Sequence, residues 1–548
     1  MRILLRFPLH SLFLSLYPIC YLYSQNAMYI DPAQTLRPLA ISLGFTVLFL
    51  LGFRLILRDW QRAGLLASLI VGLFFSFGHV ATLIGPVMVD QGIPFKESYL
   101  GVAWIFGFLT LSFVVVLKGR SQSATSSLNL ASVLLLVVPL MSIIMITAGK
   151  ANPSARELQA LANLRGDASA LPMTGTGTLT GLPDIYFIIL DGYARADVLQ
   201  ESYGYDNTGF IEALARRGFY IADQSRSNYL STSYSLNSTL NLVYFQDLPT
   251  GINRTARYNL QTNYVSEFLR ERGYRVVVFD SGTGNTNNQY YDTFVTPGES
   301  ATRQTLAINP FEILLLRTTL GRLLVASNED NSHNKSAGEA FRASVNQELA
   351  RSRERINHAF THLPDYAAQK GNFFLFAHIY SPHVPFLYGP DGEELEYHGD
   401  PNVNWYLVHP DHYAEYYGYQ IDYLNKTVLE TIDRIQQSST KPVVIILQAD
   451  HGDDFLLDWE HPTSDGVDAR SSILNAIYYS DGSYEDLYPS ITSVNTFRLV
   501  FNHWFGTRYP VLQDKTLFHP HPVSATYGSR LEFQDACETY EICLPGAR

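Results

Sequence analysis

The sequence predicts a membrane protein in two parts: an N-terminal five-helix transmembrane bundle and an exported α/β domain with a mostly parallel sheet. Three observations carry this expectation. The chain has 548 residues, too many for one ordinary domain. Its charge is divided: residues 1–150 hold 10 Lys and Arg against 4 Asp and Glu, or +6, and the remainder holds 29 against 47, or −18. Near residue 150 the apolar pattern also changes, from stretches of about 20 residues to short runs alternating with longer helical segments. With 16% charged and 47% apolar residues, the chain is not disordered. An acidic second half has little to neutralise phosphates with, so no nucleic-acid partner is expected.

The bundle is assigned to residues 1–149. Its apolar stretches are Phe7–Tyr23, Pro38–Ile56, Gly64–Ile84, Leu100–Leu117 and Leu128–Ala148, each about as long as a hydrocarbon core requires. A cleaved signal peptide explains only the first. Arg2, Arg6, Arg54, Arg58, Arg62, Lys118 and Arg120 fall on one side, whereas the opposite loops hold only Arg37 and Lys96 as cations. The positive-inside rule then puts the N-terminus in the cytoplasm, and an odd number of spans, five, exports the chain beyond about Lys150. The expected location is a bacterial inner or plasma membrane, multi-pass, with the catalytic domain periplasmic or extracellular. His79 is the ionisable group well inside a span, either functional or bonded to a neighbouring helix. Cys537 and Cys543 stand six apart in the exported tail, where a disulfide is permitted.

Residues 150–182 read as a linker with a Gly/Thr run, and residues 183–548 as the exported domain. Candidate strands are Asp184–Leu190, Tyr274–Phe279, Asn372–His378, Pro442–Gln448 and Ile473–Tyr479, nearly continuous apolar runs of the kind buried on both faces. Helical candidates between them include Thr208–Arg217, Tyr264–Arg272, Val345–His362 and Tyr413–Gln437. Such alternation implies a parallel sheet with helices on both faces, and ligands then bind beyond the C-terminal strand ends. Those ends carry Asp191-Gly, Ser-Pro-His383-Val-Pro and Asp450-His451-Gly. Two carboxylates and an imidazole from separate strands can hold a divalent metal, zinc or manganese by the oxygen and nitrogen character of the set. An Asp-Gly after a strand is also an ordinary turn. His378 is read as closing its strand inside the fold, and Asp453 and Asp454 as caps of a following helix.

The order Asp191-Gly, a Ser/Thr segment about 40 residues on, Ser-Pro-His383-Val-Pro, and Asp450-His451-Gly resembles the alkaline phosphatase/sulfatase superfamily. With five spans in front, the chain looks most like the membrane-anchored, sulfatase-like branch near lipoteichoic acid synthases and lipid A phosphoethanolamine transferases. That resemblance implies an alkaline phosphatase-like fold, with a divalent metal held by Asp191, Thr232, Asp450 and His451. It also implies a hydroxyl nucleophile that is transiently phosphorylated. Within Ser231-Thr232-Ser233-Tyr-Ser235-Leu-Asn237, the match to the family's segment falls on Thr232. Asn237 stands where the family has Pro, so Ser231 and Ser233 remain open. His383 and His461 match family histidines that bind substrate phosphate, assist the leaving group or hold a second metal. One departure matters: no Cys/Ser-x-Pro-x-Arg motif lies between Asp191 and Tyr244, so sulfate-ester hydrolysis through formylglycine is not expected.

The expected function is transfer of a phosphate-linked group from a membrane lipid donor to an envelope glycan or lipid acceptor. A phosphodiesterase or sulfatase-like hydrolase of envelope esters is the alternative, and a non-catalytic envelope-binding scaffold is a third.

Overall fold

The computed structural model describes residues 7–26, 32–90, 97–118, 122–148, 162–166, 181–247, 263–283, 286, 291–297, 310–323, 335–397, 410–519 and 533–542. Two compact units divide the chain: residues 1–148 with 299–347 and 397–404, and residues 149–298 with 348–396 and 405–548.

In the first unit, four helices among the described residues are long and apolar enough to cross a membrane: Pro32–Leu57, Trp60–Ile84, Glu97–Leu117 and Gln122–Ile144. The helix on the first predicted stretch, His10–Asn26, has 17 residues with Pro18 inside. At 1.5 Å per residue that is about 25 Å, short of a core of roughly 30 Å. It packs against the second, third and fifth helices. The His10 amide donates to Asn129 Oδ1 (2.7 Å), and His10 Nδ1 meets Ser68 Oγ at 2.6 Å. His79 is exposed, so the buried imidazole of this bundle is His10. The helix Pro310–Thr318, far along the sequence, belongs to the same unit. Phe311 lies among Ile19, Tyr23, Val71 and Phe75, Glu312 pairs with Arg37, and Arg322 pairs with Glu97 at 2.6 Å.

The second unit is built on a seven-stranded sheet in the order β2-β7-β6-β1-β5-β3-β4. The strands are β1 (Asp184–Leu190), β2 (Tyr220–Ile221), β3 (Tyr274–Phe279), β4 (Thr293–Val295), β5 (Asn372–Ile379), β6 (Val443–Gln448) and β7 (Asn475–Tyr479). β1 pairs in parallel with β5 and β6, and β3 with β5 and β4, whereas β7 runs antiparallel to β6 and β2. Every residue of β1 is buried, as a central strand covered on both faces must be. Ile185, Phe187 and Ile189 face a core with Leu236 and Leu240, Phe268 and Leu269, and Phe497, Val500 and Phe501. These come from the helices Thr232–Asn241, Tyr264–Arg270 and Ser493–Phe505. Tyr186, Ile188 and Leu190 alternate to the other face and are equally buried.

Cys537 is disulfide-bonded and Cys20 is free. Cys543 lies outside the described residues, as does most of the linker 150–182.

Arg498 is wholly buried in this apolar core. Its guanidinium donates to the carbonyls of Leu242 (3.2 Å), Arg165 (3.1 Å) and Pro510 (2.8 Å). Leu242 ends the Thr232–Asn241 helix in the left-handed region at φ 61°, which costs a non-glycine residue strain. The arginine satisfies the carbonyl at that turn. Arg498→Ala should therefore lower stability by about 3 kcal/mol, since it removes the donor and leaves buried carbonyls unpaired. Denaturant unfolding followed by tyrosine fluorescence checks this.

Candidate metal and nucleophile site

Three chain segments converge at one end of the sheet. Asp191 follows β1, Asp450 and His451 follow β6, and Thr232 opens the helix Thr232–Asn241. Asp191, Asp450 and His451 each bring one ligand atom within 4.8 Å of the others, and all three are buried. His451 Nε2 lies 3.1 Å from Asp450 Oδ2, 3.7 Å from Asp191 Oδ1 and 3.0 Å from Thr232 Oγ1. The strand-end aspartates, the imidazole and the Thr232 hydroxyl thus meet where the sequence places them.

Proton positions determine what the cluster can hold. Asp450 Oδ1 accepts the amides of Gly192 (3.2 Å) and His451 (3.0 Å), which turns Oδ2 inward with no hydrogen bond. His451 Nδ1 donates to the Gly452 carbonyl at 3.0 Å, so the neutral ring presents its acceptor lone pair at Nε2. Both oxygens of Asp191 are buried without a hydrogen bond among the described residues. Asp191 Oδ1 and Oδ2 and Asp450 Oδ2 therefore converge with no hydrogen-bond partner among the described residues, while the Thr232 hydroxyl and the Arg470 guanidinium reach His451 Nε2. A divalent cation satisfies that arrangement, and the oxygen and imidazole donors suit zinc or manganese.

Gly452 makes the approach possible. A Cβ there would stand 2.1 Å from the Ala469 carbonyl oxygen and 2.9 Å from that of Ser472. The backbone consequently runs against the segment that carries Arg470. Arg470 donates to the carbonyls of Leu230 and Gly452, both at 3.0 Å, and its Nη2 is 3.2 Å from His451 Nε2. Burial, then the Arg470 charge, holds the His451 imidazole below its ordinary value. Burial alone would raise the Asp191 carboxyl, but the imidazoles of His383, His378 and His451 hold it well below the carboxylate range. Asp191 is thus the anion that a metal requires.

His383 is half-buried beside this cluster. Its amide donates to the Asp191 carbonyl at 3.0 Å, and its Nδ1 lies 2.6 Å from the Val384 carbonyl oxygen. Nδ1 then carries the proton bonded to that carbonyl, and Nε2 remains available for exchange. His461 is not brought to the cluster: its side chain is 83% exposed and lies 3.6 Å from Asp458 on a turn.

Four residues near the site escape the strand-end rule. His378, read from sequence as a packing residue, is buried with Nε2 3.2 Å from Asp191 Oδ2. Arg470 precedes β7. Asp453 and Asp454 cap no helix, since the next one begins at Ser464. Asp453 instead accepts the phenols of Tyr203 (2.6 Å) and Tyr413 (2.7 Å), and burial pushes its carboxyl up. Burial would raise Asp454 too, but Arg470 at 3.8 Å, then His383, holds it below the usual range. The spacing of His378 and His383, both close to Asp191, was the available signal.

This fold and strand-end site accompany a family match over residues 183–498 to the Sulfatase family. The chain belongs to that family, and so to the enzymes of the alkaline phosphatase superfamily. Solved structures of low similarity include the integral membrane lipooligosaccharide phosphoethanolamine transferase A from Neisseria meningitidis, at 12% identity. That match covers 90% of this chain and 95% of the other, with a TM-score of 0.37. The periplasmic domain of phosphoethanolamine transferase EptC from Campylobacter jejuni is 13% identical, covers 61% and 92%, and has a TM-score of 0.34. The corresponding EptC domain from Escherichia coli, in complex with Zn, is 10% identical, covers 66% and 94%, and scores 0.36. No curated protein matches the chain.

Asp450→Asn should strip the site of metal after desalting, because a neutral amide replaces the inward-facing anion. Excess metal should partly restore occupancy. Elemental analysis of the purified protein before and after desalting reads both effects.

Proposed function

We propose that the protein is a metal-dependent membrane enzyme that moves a phosphate-linked group from a lipid to an envelope glycan or lipid, through phosphorylated Thr232. The observation that carries this reading is the Thr232 hydroxyl, 3.0 Å from His451 Nε2 at the first residue of a helix. Backbone amides at a helix N-terminus favour an anion there. Asp191, Asp450, His451 and Thr232 would hold a divalent cation, which would supply Lewis acidity that lowers the hydroxyl's affinity for its proton.

Each residue has a separate task. Thr232 Oγ, its proton released to solvent before the cycle begins, attacks phosphorus as the alkoxide and leaves as the same alkoxide, forming a Thr–O–P bond as the lipid P–O bond breaks. His383, with Nδ1 held by the Val384 carbonyl, gives a proton from Nε2 to the departing lipid oxygen. An acceptor hydroxyl returns that proton to His383, attacks the phosphothreonine and releases Thr232. Arg470, whose Nη2 lies 3.2 Å from His451 Nε2, disfavours a charged His451 ring. His461, exposed on its turn, is proposed to meet substrate from outside the cluster. Because water can take the place of the acceptor, the Sulfatase match supports a hydrolase as the second reading.

The membrane part supports a lipid donor. We propose that His10–Asn26 completes a five-helix bundle with a cytoplasmic N-terminus in a bacterial inner or plasma membrane. Glu312 and Arg322, which come after the linker in sequence, pair with Arg37 and Glu97. Those two residues stand at the helix ends that the positive-inside rule places outside, so both members of each pair fall on the exported side.

Thr232→Ala should leave stability within about 0.5 kcal/mol of wild type, as a half-buried hydroxyl supports little packing. Turnover should nevertheless fall by about 10³-fold or more, since the covalent pathway is lost, and excess metal should not restore it. Head-group release from labelled membrane lipid, traced into water or onto an acceptor, measures turnover and separates hydrolysis from transfer. Ser231→Ala and Ser233→Ala serve as register controls: loss in one of them with an active Thr232→Ala would move the nucleophile to that neighbour.

A further inference from the structure

His378 has no role in the steps above, yet it is buried beside the site. It lies in β5 level with Ile189, two residues before Asp191, so its ring stands beside the carboxylate. Nε2 is 3.2 Å from Asp191 Oδ2, and neither atom has a hydrogen-bond partner among the described residues, so each is open to the other. On the far side of the ring, Nδ1 is 2.9 Å from Thr286 Oγ1. Thr286 is itself held by the hydroxyls of Ser281 (2.8 Å) and Thr283 (2.7 Å).

These hydrogen bonds can be assigned one direction that leaves a proton for Asp191: Ser281 or Thr283 donating to Thr286, and Thr286 donating to His378 Nδ1. A neutral imidazole that accepts at Nδ1 carries its proton at Nε2. That proton faces Asp191 Oδ2. Asp191 Oδ1, the oxygen nearer His451 Nε2 at 3.7 Å, is then left for the cation. Asp191 has no other side-chain or backbone donor on either oxygen among the described residues, so nothing else fixes the rotation of its carboxylate.

We infer that His378 is the positioning residue of Asp191. Anchored by Thr286, its Nε2–H holds Oδ2 and presents Oδ1 alone to the metal, which makes Asp191 a one-oxygen ligand. The inference rests on the metal reading of the site. Partners that orient a ligand in this way typically change metal affinity by about 10- to 100-fold.

The test uses the full-length protein in detergent, with Zn²⁺ titrated against a chromophoric chelator and Co²⁺ bound for its visible spectrum. His378→Leu should weaken Zn²⁺ binding by about 10- to 100-fold and alter the intensity of the Co²⁺ bands, because Asp191 becomes free to rotate. His378→Gln, which keeps an N–H near the Nε2 position, should regain most of the affinity and the native spectrum. Thr286→Val should fall between the two and decides the matter if His378→Leu does not fold. Wild-type affinity with an unchanged Co²⁺ spectrum in His378→Leu, or in Thr286→Val when the leucine variant is unfolded, overturns the inference. So does a His378→Gln variant as weak as His378→Leu, since the donated proton would then be irrelevant. A wild-type protein that binds no Zn²⁺ or Co²⁺ overturns the metal reading itself, a result distinct from either of these.

Discussion

The convergence of Asp191, Asp450 and His451 in a buried place is the constraint that organises the second unit. Two like charges about 4 Å apart repel by about 4 kcal/mol even at an effective dielectric constant of 20. Asp454 adds a third carboxylate near the same imidazoles. Against these stands Arg470, whose guanidinium already donates to two carbonyls. The imidazole of His451 is held neutral by burial and by that same arginine. The site therefore carries more buried negative charge than its own side chains balance, and a divalent cation at the facing lone pairs is the simplest remedy.

The sheet's one reversed strand explains how the arginine arrives there. β1, β5 and β6 run parallel, so their C-terminal ends deliver Asp191, His378 and Asp450 to one edge. β7 runs the other way beside β6, with Asn475 paired to Gln448. The chain entering β7 therefore lies at the edge that the parallel strands leave. Arg470 and Ser472 are on that entry, and Gly452, lacking a Cβ, lets the Asp-His-Gly turn press against it. The carbonyls of Gly452 and Leu230 then fix the guanidinium beside His451.

Much of this was legible in the sequence because a strand buried on both faces is an apolar run with clear ends. β1 and β3 have the predicted bounds, and β5 and β6 differ from theirs by one residue. Asp191, Asp450 and His451 were readable because each follows such a run. β2 and β4, of two and three residues, are too short to leave a pattern. His378 closes β5 inside the fold as the sequence suggests, but its nearness to Asp191 is visible only once the neighbouring strand is aligned. Arg470 was missed for a different reason: rules about C-terminal strand ends do not search the start of an antiparallel strand. The helix Pro310–Thr318 reads like any amphipathic helix, and its place among Ile19, Val71 and Phe75 is set by tertiary packing alone.

The most direct measurement of the central claim is anomalous diffraction at the zinc edge from crystals of the zinc-loaded protein. The account predicts one peak at bonding distance, about 2 Å, from Asp191, Asp450 Oδ2, His451 Nε2 and Thr232 Oγ1. A zinc-loaded crystal with no peak there, and with Arg470 instead bridging the two carboxylates, would contradict it.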